Sequence, residues 1–324
     1  MSTVKFIVFI CLLLLLLAVD VWMVPTYINP FDFSALNDTV FTAIRLPKAL
    51  TAICAGAALA ACGLMLQQLF KNPLAGPYVL GVSSGASFAV GIVIIAGSSI
   101  PFLQSQFFQT VGVAAAGFAG AFIVLFLSLL VSIRFGYSYI LLLFGVIIGQ
   151  IIGALQTLLD YVANPTDLKQ YSLWSMGSFS NTIDTSLYLF IVFSVIGCIW
   201  CFVLMRPLSV MILGDDVAKT LGIKTKSISL QILLCTGLLA GVVTAFCGPI
   251  AFIGMAVPNV AKMLYKTADF RKLSLFTFML GILMALLCDI IGHLPFYDLH
   301  LPINVSTALI GGPVVLIILL KRKY

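Results

Sequence analysis

Long apolar runs separated by short polar segments recur along the whole chain. A clear example covers residues 46–69, which follow Arg45 and precede Asn72 and Pro73. About twenty apolar residues in a helix span the hydrocarbon core of a bilayer, at about 1.5 Å per residue. We therefore predict a membrane-spanning helix with basic residues at one end and a rigid polar turn at the other.

The same pattern predicts ten spanning helices in a single domain of residues 1–324. The N-terminal run is too long for a signal peptide and has no small-residue cleavage site after it, so it counts as the first helix. Residues 161–186 are too polar to span and are expected to hold a short surface helix, while 206–227 form a soluble excursion. The predicted helices cover residues 6–24, 46–69, 79–97, 109–132, 139–160, 187–205, 228–247, 250–264, 273–292 and 303–320.

Composition excludes a soluble protein. The chain is 62% hydrophobic and 9% charged, whereas a soluble domain carries about 25% charged residues. Its mean hydropathy is +1.18. The fold class is therefore predicted to be an all-α polytopic membrane protein.

Basic residues predict the orientation. With the N-terminus inside, all but three of the 17 Lys and Arg fall on the cytoplasmic side, the exceptions being Arg45, Lys48 and Lys169. The positive-inside rule favours this orientation over its inverse. Both termini are then cytoplasmic, as an even number of spans requires.

Charged residues are almost absent from the predicted helices, and the acidic candidates are Asp160 and Asp289, both near helix ends. Ion-coupled carriers usually keep ionisable groups at mid-membrane. The pattern thus favours a passage driven by a partner protein, with an ion- or proton-coupled secondary transporter as the alternative. A membrane enzyme would need a polar catalytic cluster, and two His with no Glu offer little for one.

Cysteines and histidines do not predict a metal site, and no catalytic residue or bound cofactor is predicted. The eight cysteines lie within apolar runs. Cys198 and Cys201 form a C-x-x-C pattern, which inside an apolar helix is typical of packing residues. His293 and His300 are separated by seven positions with a proline between them, which is not a metal-ligand spacing.

Three sequence blocks together resemble a known family. They are Arg45–Lys48 with 56–86, Leu173–Ser178, and Gly248–Lys262 closed by Leu301–Asn304 and Thr307–Pro313. In content and order they are similar to the permeases of type II ABC importers, which take up iron–siderophore complexes, haem and vitamin B12. The resemblance covers nearly the whole chain.

The resemblance implies an assembly. It comprises a permease homodimer in the bacterial cytoplasmic (inner) membrane, two cytoplasmic ATPase subunits and a periplasmic or lipid-anchored substrate-binding protein, without nucleic acid. This chain has no G-x-x-x-x-G-K-[ST] phosphate loop, so ATP and Mg²⁺ are expected on the ATPase. The expected cargo is an iron chelate, a ferric siderophore first and haem or cobalamin next, and the fifth and tenth predicted helices are expected to line the dimer passage.

The resemblance also assigns residues. It implies that Arg45, Lys48 and His293 dock the binding protein. It also implies that a cytoplasmic gate is formed by Asn72, Leu74, Ser138 and Tyr139. ATPase coupling falls to Gly214, Asp215, Asp216, Ala218, Leu221 and Gly222. His293, His300 and Asn259 depart from the family pattern, so the docking charges are only partly retained.

Overall fold

The computed structural model describes residues 3–23, 41–97, 111–135, 139–182, 184–293 and 301–321. Within these residues the chain forms twelve α-helices and no strand. They are α1 Thr3–Met23, α2 Leu46–Leu69, α3 Val82–Gly97, α4 Val113–Phe135, α5 Tyr139–Val162, α6 Pro165–Ser175, α7 Asp184–Met211, α8 Asp215–Thr220, α9 Thr225–Cys247, α10 Ile253–Leu264, α11 Phe270–His293 and α12 Ile303–Lys321.

Ten of these helices are apolar, which is consistent with ten spans. In the described part of the chain, five are long and apolar enough to cross a membrane, and five further apolar stretches are shorter. The remaining two, α6 and α8, are short and polar. Helix α6 lies in the segment for which a surface helix is predicted, and α8 lies in the predicted soluble excursion.

Helix α2 lies at the centre of the molecule, and small residues bring its neighbours close. A Cβ atom added at Gly56 would overlap the carbonyl oxygen of Gly281 in α11, and one added at Gly63 would overlap that of Gly254 in α10. In lipid, where helices gain nothing by hiding apolar surface from each other, such close backbone approach supplies much of the association energy.

Buried thiols contribute to the same packing. Cys235 in α9 donates to the carbonyl oxygen of Gly197 in α7 at 3.4 Å, and Cys201 in α7 lies 3.9 Å from that of Ala61 in α2. The cysteines are free, and the described residues form no group of three or more His, Cys, Asp or Glu that could hold a metal ion.

Most helices differ from their predicted bounds by a few residues, and two of these differences have a local cause. Helix α7 is predicted to end at residue 205 but continues through Pro207 to Met211, because a membrane helix tolerates the loss of the hydrogen bond that proline removes. Helix α10 was expected from residue 250 but begins at Ile253. The delay arises from Gly248 and Phe252, whose positive φ angles of 77° and 65° are not helical.

Candidate functional site

The three sequence blocks meet around one cavity of about 420 Å³. The first block contributes the start of α3 and the turn before it, the second contributes the end of α6, and the third contributes the break before α10 and the start of α12. Helix α5 closes the remaining side through Ile152, Gly153 and Gln156. The other lining residues are Tyr78, Ser83, Ser84, Ser87, Phe88, Tyr171, Ser175, Pro249, Ala251, Phe252 and Asn304.

Asn304 joins three chain segments at one end of this cavity. Its side-chain oxygen accepts a hydrogen bond from the backbone N–H of Ala251 at 3.1 Å. Its side-chain nitrogen donates to the carbonyl oxygens of Pro249 at 2.6 Å and Ser175 at 3.4 Å. One carboxamide thus provides hydrogen-bond partners for backbone groups of the break before α10 and of α6. A backbone group without a partner away from water would destabilise the fold.

The backbone around Asn304 is itself unusual. Gly177 follows α6 with φ of 77°, and Ser178 donates its N–H to the carbonyl oxygen of Cys247 at 2.8 Å. Phe252 has φ of 65°, and residues other than glycine rarely adopt a positive φ. Its ring packs against the bare backbone of Gly311 in α12. Gly177, with its positive φ, and Gly311, with its close contact to Phe252, are therefore required at this junction.

The turn after α2 contains the first predicted gate residues. Asn72 accepts the backbone N–H of Leu74 at 2.9 Å, which closes the turn around Pro73. Asn259 in α10 donates to the carbonyl oxygen of Pro73 at 2.7 Å and to that of Met255 at 2.8 Å. The turn is thus attached to α10 by a side chain that sequence reasoning noted only as a departure.

A second contact between α2 and α10 supports this turn. Gln67 donates to the carbonyl oxygen of Met255 at 2.9 Å and accepts from the Lys262 ammonium at 2.9 Å. The gate assignment itself stays a prediction. Of its other members, Ser138 lies outside the described residues and Tyr139 begins α5.

The predicted docking residues lie in a buried polar cluster. Lys48 forms an ion pair of 2.6 Å with Asp289, and the two side chains are 4% and 1% exposed. The Lys48 ammonium lies 3.3 Å from the nearer ring nitrogen of His293, and the His293 ring lies 2.8 Å from the carbonyl oxygen of Asp289. Arg45 is also buried and donates to the carbonyl oxygen of Val21 at 3.3 Å.

This cluster corrects the expectation that the helices hold almost no charge. Asp20 in α1, Lys48 and Asp289 are all buried, and Asp289 is paired with Lys48. The sequence reading missed Asp20, although a carboxylate in a run of leucines is costly unless it is paired. The cluster lies near helix ends, since Lys48 is in the first turn of α2. It is therefore not the mid-membrane pair expected of a secondary transporter.

The predicted coupling residues form α8 and its caps. Ala218 is buried, whereas Leu213, Val217 and Leu221 are exposed to 70%, 44% and 63%. After α8, Gly222 has φ of 80°, and Gly222 and Ile223 donate to the carbonyl oxygens of Lys219 and Ala218 at 3.0 and 2.9 Å. This pattern is a Schellman motif, which ends the helix sharply. The segment therefore carries apolar side chains on a well-defined polar turn.

Comparison with known proteins agrees with this architecture. The FecCD transport family matches residues 6–321. A hemin transport system permease, HmuU of Yersinia pestis, is 34% identical over 282 residues, which are 86% of this chain and 83% of the relative. A vitamin B12 import system permease, BtuC of Citrobacter koseri, is 32% identical over 325 residues, which are 100% of this chain and 94% of the relative.

A solved structure shares the fold. It is described as an inward-facing conformation of a metal-chelate type ABC transporter, and the match has a TM-score of 0.87 with 28% identity over 97% of this chain and 98% of the other. The class is thus an all-α polytopic permease, as predicted. The chain belongs to the FecCD transport family, which confirms the resemblance found in its motifs.

Proposed function

We propose that this chain is the permease subunit of an ATP-driven importer that carries an iron chelate across the bacterial cytoplasmic membrane. A ferric siderophore is the first candidate, and haem or cobalamin comes next. The observation that carries the proposal is the meeting of all three family blocks around one cavity beside α5. Membership of the FecCD transport family supports transport as the activity.

The passage is proposed to lie between two copies of the chain. Helix α5 exposes Leu143, Ile147, Ile151 and Leu158, and α12 exposes Leu309 and Leu316. Candidate spans of other helices are 33% to 78% buried, but that of α5 is only 11% buried. A second copy against α5 and α12, the fifth and tenth predicted spans, would cover these faces.

The energy is proposed to come from a separate ATPase that binds α8. The exposed Leu213 and Leu221, which flank this short helix, and Val217 within it would fit an apolar cleft in a partner. ATP binding would then move α8 and shift the gates between two states. The gate is proposed to include the turn of Asn72 and Leu74, together with a second constriction at Ser138 and Tyr139.

Substrate delivery is proposed to come from a binding protein on the outer face, with both termini of the permease in the cytoplasm. Arg45, Lys48 and His293 remain the proposed docking residues. The burial of Arg45 and Lys48 adds a condition. Either Lys48 exchanges Asp289 for a carboxylate of the partner, or Asp289 holds Lys48 beneath the contact surface.

Reconstitution tests this proposal. The permease, purified with the ATPase that accompanies it, is placed in liposomes with its binding protein, and uptake of ⁵⁵Fe-labelled chelates is measured. We expect uptake with ATP and none with a non-hydrolysable analogue. Uptake driven by a proton or sodium gradient without ATP would instead establish the secondary transporter.

A further inference from the structure

The cavity beside α5 is lined by neutral polar groups. Serine hydroxyls, two tyrosine hydroxyls and two carboxamides supply the polarity, and none of its described lining residues has a charged side chain. Gly153 both lines the cavity and is exposed, and it lies on α5, the helix that is proposed to border the passage. A ligand arm could therefore enter it from the passage.

Gln156 lines this cavity and carries a hydrogen-bond acceptor that has no partner among the described residues. Its side-chain nitrogen donates to Asp160 at 2.7 Å, which fixes the direction of the amide. Its side-chain oxygen is buried and has no hydrogen-bond partner among the described residues. A buried acceptor without a partner costs free energy that a hydroxyl or amide N–H from a ligand would recover.

Hydroxyl donors lie on other walls of the same cavity. Ser84 and Ser87 both line it, and at three positions apart they lie on one face of α3. The wall from α6 adds Tyr171, whose pKa is raised to about 12 by burial and by the Asp160 carboxylate. Its hydroxyl thus keeps its proton at physiological pH and can donate.

Charge near the cavity disfavours anions. Asp160 accepts a hydrogen bond from Gln156 and acts electrostatically on Tyr171. Its negative charge therefore lowers the electrostatic potential at the cavity lining. A like charge in a partly desolvated site is repelled, and no lining ammonium or guanidinium among the described residues compensates.

We infer that this cavity is a subsite for a neutral chelate that bears hydroxyl or amide groups, and that it selects against anionic chelates. The inference rests on the proposed function and names its substrate class. A ferric tris-hydroxamate is neutral, because three singly charged ligands balance the ferric ion, and cobalamin presents neutral amides. A ferric tris-catecholate keeps three negative charges, and haem carries two carboxylates.

Equilibrium binding to the permease–ATPase complex in nanodiscs tests the subsite without the selectivity of a binding protein. The probes are a ferric tris-hydroxamate, cyanocobalamin, hemin and a ferric tris-catecholate, each corrected for uptake by empty nanodiscs. We expect saturable binding of at least one neutral probe, at least tenfold tighter than either anionic probe. The tighter neutral probe identifies the chemistry that the cavity takes.

Two variants locate the binding. Gln156→Leu removes the acceptor, and Ser84→Ala removes one hydroxyl with little effect on packing. Each should weaken binding of the neutral probe about three- to tenfold, the effect of one lost hydrogen bond. Matched controls are Gln231→Leu, whose side chain contacts Ser227 in its own helix, and Ser128→Ala, whose hydroxyl bonds to Val124.

The outcomes separate the subsite from the proposed function. Equal binding of anionic and neutral probes, no binding of either neutral probe, or variants indistinguishable from their controls would overturn the subsite. ATP-dependent uptake by the wild-type complex is measured in parallel. If no chelate is taken up, the proposed function fails, whereas uptake with unaltered binding by the variants contradicts only the subsite.

Discussion

At the scale of single residues, the most consequential contact is the ion pair between Lys48 and Asp289. Both side chains are nearly inaccessible, and His293 lies beside the ammonium group. Breaking a buried pair leaves one charge uncompensated, whereas replacing both partners by apolar groups removes the desolvation cost as well. Removing one partner should therefore change the free energy of unfolding more than replacing both partners by apolar residues.

Lys48→Met should lower the stability of the purified permease by about 3–5 kcal/mol, because Asp289 is left buried without its cation. The double variant Lys48→Met/Asp289→Leu should recover much of this loss. Thermal unfolding in detergent measures both effects.

An exposed ion pair provides the control. Lys219 and Asp216 are 3.1 Å apart on α8 but are 61% and 97% exposed. Lys219→Met should leave the unfolding temperature nearly unchanged, because solvent screens exposed pairs. Equal losses for Lys48→Met and Lys219→Met would show that burial of Lys48 does not determine its contribution.

At the scale of elements, the crossing of α2 and α10 has the least tolerance for added atoms. A methyl group at Gly63 would occupy the position of the Gly254 carbonyl oxygen, whereas one at Gly312 in α12 would meet nothing within 4 Å. Gly63→Ala should therefore abolish folding or separate the helices. Gly312→Ala should be neutral or stabilising by up to about 1 kcal/mol through helix propensity.

Size-exclusion profiles and unfolding temperatures of the two glycine variants measure this difference. A stable, monodisperse Gly63→Ala protein would show that α2 and α10 can separate at little cost.

The exposed residues at helix α8 allow a separate prediction about assembly with the ATPase. Leu221→Asp should reduce recovery of the ATPase with the permease, because a charge would enter the proposed apolar contact. The unfolding temperature should not change, since Leu221 is 63% exposed. Thr220→Asp, on the same exposed turn, adds the same charge and is the matched control. Full recovery of the ATPase with Leu221→Asp would contradict the docking role.

Hydropathy predicted helix positions well because length and composition determine which segments span a bilayer. The predicted 46–69 coincides with α2, where Pro47 favours a helix start and the polar turn at Asn72 follows the end. Contacts between distant residues were not predictable. Asn259 and Pro73 are 186 positions apart, and no periodicity in a single sequence indicates that they meet. Asp20 was missed for the same reason, since its partners lie on α2 and α11.

At the scale of the whole molecule, the exposed face of α5 allows the proposed second copy to be tested. Ile151→Cys should give cross-linked dimers with a bifunctional maleimide, in a background where the exposed Cys11 is replaced by serine. Ile123→Cys on α4 is the control, because Ile123 is similarly exposed, at 60% against 51% for Ile151. Gel mobility measures the yield. Equal yields from the two positions would place α5 against lipid.

Asn304 limits how such an assembly can open. Its carboxamide holds the last turn of α6 and the segment of Pro249 and Ala251 to the start of α12. Sliding any one of these segments past the others would break more than one of these hydrogen bonds at once. During each transport cycle the three segments should consequently move together as one rigid body.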